Sequence, residues 1–335
     1  MTNDTINDLI QTQCKATKDE THDWITYYDI AEVDLPLMDN IRAKIREERA
    51  NDVVNLRNFA EYCNRIQAET GDRPTKFKPN ENYDLYRFEY KGTKIEFLRA
   101  KKDTKRTLFY IAGSGYCHRL TDGSMRFMQS YGDCIEDINC ITCNYRCAPD
   151  DTYKETLEDV ANCYEWLIQE GYSPYDTVFF GDSSGGGTAL ASLMYLRDSK
   201  FPMPSGLVIM SAFINFKCDT PSYITNKEMD CVVGHSGFYD YIIDVHTKGH
   251  DITDPYLSPS YGDYSDLPET LVQVSSDEID FDDNVSIVKN CLMAGTSASL
   301  EIYNGMYHDW PTLSPELATT RFTLNQVKKF VNGLI

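Results

Sequence analysis

Gly181-Asp182-Ser183-Ser184-Gly185-Gly186 stands between an apolar run, Asp176-Thr177-Val178-Phe179-Phe180, and a helix-forming stretch from Thr188 to Arg197. That context reads as strand, sharp turn, helix. A serine at the centre of Gly-x-Ser-x-Gly in such a turn is placed on a strained backbone that pushes its hydroxyl outward, with flanking glycines making the room. Ser183 is therefore the candidate nucleophile. Three consecutive glycines, Gly185 to Gly187, each cost a helix roughly 1 kcal/mol relative to alanine, so their presence at a helix start points to a close backbone approach there.

Working outward, strand-like runs recur at Tyr83–Tyr90, Lys94–Arg99, Thr107–Ala112, Ile138–Tyr145, Thr177–Phe180, Leu207–Ser211, Thr270–Ser275 and Ser299–Tyr303. The first three follow one another through short turns, which predicts an antiparallel start. The later ones alternate with helical stretches, as a parallel sheet requires. One of those helices can be checked by period: Tyr153, Leu157, Val160, Ala161, Tyr164, Leu167 and Ile168 fall on one face. The expected fold is α/β, a mostly parallel eight-stranded sheet flanked by helices.

Two segments stand apart from this alternation. Residues 1–75 contain a helical stretch from Leu37 to about Glu69 that is too polar to form a core alone, and 213–255 is aromatic and helical, with Phe216, Tyr223, Phe238, Tyr239 and Tyr241. The two are expected to pair as a two-part cap over a core formed by 76–212 and 256–335.

A serine needs a general base, a group to orient it and donors for the oxyanion. After the Thr270–Ser275 strand comes Ser276-Asp277-Glu278-Ile279-Asp280, and after Ser299–Tyr303 comes Asn304-Gly305-Met306-Tyr307-His308. The chain order is thus serine, acid, histidine, each beyond a strand's C-terminal end. His308 is the base. For the acid, Asp277 has Glu278, Asp280, Asp282 and Asp283 as rivals. On the oxyanion side, Leu108–Ala112 runs into Gly113-Ser114-Gly115-Tyr116, whose backbone can turn its N–H groups toward Ser183.

Composition excludes several alternatives. A formal net charge of −20 sets nucleic acid and anionic membrane against a repulsive field. No run approaches the roughly 18 to 20 apolar residues of a membrane span, and the first ten residues lack the pattern of a secretory signal, so a cytoplasmic location is expected. Eleven cysteines, an odd number, suit a reducing compartment. Cys140, Cys143 and Cys147 have the spacing of metal ligands but sit in what reads as a buried strand. His246 and His250 are four apart without the acidic residue of a zinc-peptidase helix, and read as a surface helix end.

Together these motifs resemble the bacterial hormone-sensitive-lipase family of esterases. Gly-Asp-Ser-Ser-Gly-Gly (181–186) is similar to its Gly-Asp-Ser-Ala-Gly-Gly, Ala-Gly-Ser-Gly-Tyr (112–116) to its His-Gly-Gly-Gly-aromatic, and Tyr145-Arg-Cys-Ala-Pro149 to its Tyr-Arg-Leu-Ala-Pro. Asp254–Pro259, Ser276–Glu278 and Gly305–His308 agree as well, so the resemblance spans roughly 80 to 333. It implies an α/β-hydrolase fold, a triad of Ser183, Asp277 and His308, and oxyanion donors on the amides of Gly113, Ser114 and Ser184. Three positions depart from the pattern: Ala112 for histidine, Ser114 for glycine and Ser184 for alanine.

The expected activity is that of a serine carboxylesterase on small, uncharged short-acyl esters, through an acyl-enzyme and without metal or organic cofactor. An amidase, deacetylase or acyltransferase could use the same residues, and a ligand-binding relative without catalysis is the alternative of another class. His308 is expected to titrate near the ordinary histidine range, about 6.5 to 7. The partner is a small-molecule ester, with a homodimer left open as an assembly.

Overall fold

A computed structural model describes residues 14–56, 74–234 and 238–335. The expected helix between 57 and Glu69 lies outside them, as do the side chains of 51–56 and of Phe238. Among the described residues ten strands form one sheet: β1 (Ala16–Lys18), β2 (Ile25–Asp29), β3 (Tyr83–Tyr90), β4 (Thr93–Ala100), β5 (Thr107–Ile111), β6 (Asn139–Cys143), β7 (Thr177–Asp182), β8 (Gly206–Met210), β9 (Glu269–Ser275) and β10 (Ala298–Asn304), in the order β1-β2-β10-β9-β8-β7-β5-β6-β4-β3. From β2 to β6 every neighbour is parallel; β1, β4 and β3 are antiparallel to theirs.

Two sequence expectations change here. The sheet has ten strands rather than eight, because residues 25–29 run beside β10, Leu300 opposite Ile25 and Asn304 opposite Asp29. The antiparallel start comprises β3, β4 and β6, while β5 sits between β6 and β7 and runs parallel to both. Adjacency in the chain is not adjacency in the sheet when a crossover intervenes.

The central strands are apolar on both faces because both are covered. Period-two alternation sorts their side chains. Phe109, Phe179, Leu207 and Val272 face α3 (Tyr153–Gln169), α4 (Ser184–Asp198) and α7 (Phe281–Met293). Leu108, Tyr110, Phe180 and Met210 face α2 (Asp122–Ile135) and α9 (Ala318–Leu334). Phe109 stacks on Phe179 with ring centroids 4.4 Å apart. The predicted face of α3 is the buried one, and its start is closed by a capping box between Thr152 and Glu155. Cys140 and Cys143 lie on opposite faces of β6, one in each core, which separates them as metal ligands.

A third apolar cluster lies above the sheet's C-terminal edge. It joins Met38 and Ile45 of α1 (Leu35–Leu56) to Val232, Tyr239 and Ile242 of the 213–255 insertion, which holds α5 (Ser222–Thr225) and α6 (Phe238–Thr247). The same N-terminal segment is tied to the far end of the chain. Asp34 accepts from the Ala318 and Thr319 amides at 3.1 and 2.7 Å, a carboxylate on the unsatisfied N–H groups that open α9. Arg42 donates to the Gly305 carbonyl.

Candidate active site

β7 delivers Ser183 at φ 51°, ψ −126°, a conformation a side-chain-bearing residue adopts only under strain. Its neighbours hold it there. A Cβ on Gly181 would run into the Gly185 carbonyl, and one on Gly185 into the Ile111 carbonyl, so both positions require glycine. The Ser183 amide donates to Met210 O at 2.8 Å, and its carbonyl accepts from Gly186 at 3.0 Å.

His308 follows β10, and its loop is fixed by Arg42 on Gly305 and by the Gly305 amide, which donates to Ser276 Oγ at 2.9 Å. The imidazole is buried between two partners. Nε2 lies 2.8 Å from Ser183 Oγ and Nδ1 lies 2.8 Å from Glu278 Oε2. A carboxylate only accepts, so Nδ1 carries the proton toward Glu278, and in the neutral ring Nε2 is left to accept from the serine hydroxyl.

The acid at this position is Glu278, not the expected Asp277. Asp277 is 22 % exposed and turned outward, where it accepts from Ser276 Oγ at 2.9 Å and faces Arg42 at 3.8 Å. Glu278 is 0 % exposed. The reason lies in the turn that ends β9. Ser275 Oγ accepts from the Asp277 amide at 3.1 Å while Glu278 Oε1 reaches back to the Ser275 amide at 2.7 Å. This reciprocal pattern puts residue 277 on the outer corner and folds residue 278 underneath. Ser-x-x-Glu at 275–278 was the available signal. Ser211 Oγ, donating to Glu278 Oε1 at 2.8 Å, completes the acid's environment.

Asp280 is also fully buried, with Oδ2 3.7 Å from His308 Nδ1. Its oxygens accept from the hydroxyls of Tyr223, at 3.0 Å, and Tyr239. The other acids serve the insertion: Asp282 accepts from the Ser222 amide at 2.8 Å, and Asp283 from Tyr223 at 2.8 Å. Glu278, Asp280 and His308 place three potential metal-ligand atoms within 4.8 Å of one another, but both ring nitrogens already have partners in Ser183 and Glu278.

Electrostatics follow from this crowding. Burial opposes the imidazolium, yet the hydrogen bond and charge of Glu278, with Asp280 and Asp230 behind it, outweigh that cost and hold the His308 pKa up at about 10. The ordinary histidine range expected from sequence is thereby displaced. Burial also pushes Asp280 well above the usual carboxylate range, against the opposing pull of His308 and the Tyr239 hydroxyl.

Gly113, Ser114 and Ser184 converge beside Ser183, but two of their amides have acceptors already. Gly113 N donates to Asp182 Oδ1 at 3.0 Å and Ser114 N to Ser184 Oγ at 2.8 Å. The Ser184 amide opens α4 and has no intrahelical acceptor. Where the related motif carries histidine, Ala112 is braced by Tyr145, whose hydroxyl donates to the Ala112 carbonyl at 2.6 Å and meets Ser114 Oγ at 3.0 Å. One turn along α4, Tyr116, Gly187, Thr188, His246 and Leu257 line a cavity of about 10 Å³, room for roughly one water or a methyl group. His246 is no surface helix end. Its ring is buried and stacked on Tyr116 and Phe216, at 4.4 and 5.2 Å between centroids.

Known proteins resemble this chain in sequence and fold. The alpha/beta hydrolase fold family matches residues 108–312. An acetyl-hydrolase of Streptomyces hygroscopicus is 28 % identical over 236 residues, 70 % of this chain and 78 % of that protein. An esterase of Acinetobacter venetianus is 25 % identical over 262 residues, covering 77 % and 85 %. The crystal structure of an esterase from the bacterial hormone-sensitive-lipase family superposes with a TM-score of 0.76 at 27 % identity, covering 90 % of this chain and 98 % of the other. Among the described residues no helix is long and apolar enough to cross a membrane. With its matched core, its ten-stranded sheet and its serine on a glycine-flanked elbow, the chain belongs to the α/β-hydrolases, among the carboxylic ester hydrolases of the bacterial hormone-sensitive-lipase family.

Proposed function

We propose that this protein hydrolyses small, uncharged esters of short acyl groups, acetyl foremost, through an acyl-enzyme on Ser183. The observation that carries the reading is the continuous relay from Ser183 Oγ through His308 to Glu278, with 2.8 Å at each step. His308 Nε2 takes the serine proton as Oγ attacks the ester carbonyl, and returns it to the departing alcohol. Glu278 fixes the tautomer and stabilises the imidazolium formed between those transfers. Water then enters by the same base and releases the acid.

The tetrahedral oxygen needs donors, and the Ser184 amide is the one without a competitor. A rotation of the Ser184 hydroxyl about its Cα–Cβ bond frees the Ser114 amide to join it. The substrate oxygen thus replaces Ser184 Oγ as acceptor, and the donors are worth about 10² to 10³ in kcat each. The names of the acetyl-hydrolase and esterase relatives are consistent with acyl groups at the short end of the range.

The test is covalent labelling with a fluorophosphonate, followed by turnover of a p-nitrophenyl ester series from acetate to decanoate alongside the corresponding anilides. One adduct on Ser183, lost in Ser183→Ala, is expected, with rates falling as the acyl chain lengthens. An adduct on another serine overturns the site, and preference for anilides moves the protein to the amidases.

A further inference from the structure

His308 has more negative charge around it than its relay needs. Glu278 alone occupies the Nδ1–H, yet a second carboxyl, Asp280, is buried 3.7 Å from the same nitrogen. It is too far for a hydrogen bond and well within reach of the ring's charge. A buried carboxyl is costly, and an apolar side chain would fill the place without that cost. What Asp280 has that an apolar residue lacks is its connection. Oδ1 accepts from Tyr223 and Oδ2, the oxygen facing His308, accepts from Tyr239. Both tyrosines belong to the 213–255 insertion: Tyr223 lies on α5, and Tyr239, on α6, stacks on Phe213 with centroids 4.1 Å apart.

We propose that Asp280 is a positioning residue through which the insertion sets the basicity of His308. This rests on the Ser183–His308 reading above. The Tyr239 hydroxyl and the imidazolium both oppose the burial that favours the protonated acid, so with the tyrosine in place Asp280 more readily carries the charge that favours the imidazolium of the transition state. When Tyr239 withdraws, Asp280 takes up a proton from water, the imidazolium loses a counter-charge, and the ring becomes a weaker base. The other groups facing this pair are Glu278 and Asp283 on the acid loop and α7, Asp230 and Cys218 within the insertion, Tyr116 beyond the oxyanion turn, and the buried Asp309 next to His308 in the chain. None of them bridges a cap hydroxyl to His308 as Asp280 does.

The decisive measurement is the titration of the His308 imidazole proton by NMR in the unliganded full-length chain, which does not depend on turnover, paired with the pH profile of kcat/KM on p-nitrophenyl acetate. Asp280→Asn is expected to lower both the NMR midpoint and the acid limb by about 1 pH unit or more. Tyr239→Phe removes the hydroxyl that stabilises the carboxylate, so it moves both in the same direction by less, and adding it to Asp280→Asn changes nothing further. An unmoved NMR midpoint in folded Asp280→Asn overturns the proposal. Should that variant fail to fold, an unmoved midpoint in Tyr239→Phe does so instead. Failure of Ser183 to take a fluorophosphonate would sink the triad reading while leaving the titration to decide on Asp280.

Discussion

The elbow at 181–186 and the acid loop at 275–283 each supply part of the relay to His308, and they are built on opposite principles. At the elbow the backbone decides: two absent Cβ atoms and one strained φ put Ser183 where it is, and no other residue could take its place. In the acid loop side chains decide. Asp277, Glu278, Asp280, Asp282 and Asp283 are five carboxyls within seven residues, and the turn with the start of α7 assigns one to Arg42, one to His308 and three to the insertion. Steric necessity tolerates no substitutes, whereas selection among equals turns on a few hydrogen bonds.

The sharpest way to break this contrast is to exchange the equals. Glu278→Gln should cost on the order of 10⁴ in kcat, by analogy with loss of the triad acid elsewhere. Asp277→Asn should stay within several-fold of wild type. Steady-state kinetics on a short ester decides, and the reverse ranking would return the acid role to Asp277.

Next in size is the pH dependence that the crowded loop imposes. His308 must be neutral to accept the serine proton, and its pKa is held at about 10, so kcat/KM should climb by about 100-fold between pH 7 and 9 rather than level off near neutrality. The sign for stability is opposite. A raised folded-state pKa means the paired imidazolium contributes fully below about 6.5, and that contribution is lost as pH rises through about 10. A kcat/KM profile already flat at pH 7 would show that the carboxyls are not charged together.

The elbow should answer differently. Gly185→Ala forces a methyl against the Ile111 carbonyl and should destabilise the fold by about 1–3 kcal/mol in urea unfolding, with activity falling alongside. A variant that unfolds at the wild-type midpoint would mean that the turn is softer than its geometry implies. The smallest effect belongs to Ser184→Ala, which deletes the hydroxyl now holding the Ser114 amide. We expect kcat to rise by up to about threefold, since a donor is released at no cost to the backbone. A tenfold loss would instead give the Ser184 hydroxyl a direct part in the chemistry.

What could be read from the sequence follows the same division. All eight strands from Tyr83 onward are visible as apolar or alternating runs closed by turn residues, and Ser183 because glycines announce the turn. Ile25–Asp29 was missed: it is five residues long, alternates weakly, and is a strand only by virtue of β10, a partner far along the chain. The placement of β5 was missed because local order cannot show which strand a crossover passes over. His246 looked exposed beside Lys248 and Gly249, and is buried by Tyr116 and Phe216, which come from other elements. Glu278 and Asp277 differ by one methylene and one position, and only the turn at Ser275 separates them.

The pairing of β2 with β10 has a temporal consequence. During synthesis the residues at 25–29 emerge long before the strand they must lie against, 300–304. Until then Ile25 and Tyr28 have no sheet edge to cover them, Asp34 has no α9 to cap and Arg42 has no Gly305 to hold. The sheet's middle can assemble as it emerges, yet the loop bearing His308 is locked only when 25–42 and 300–305 meet. Contacts of such long sequence separation slow folding and expose sticky edges in the interval, so completion of the catalytic loop waits on a long-range pairing, and a nascent chain that has not yet reached residue 308 has the elbow sequence and no base.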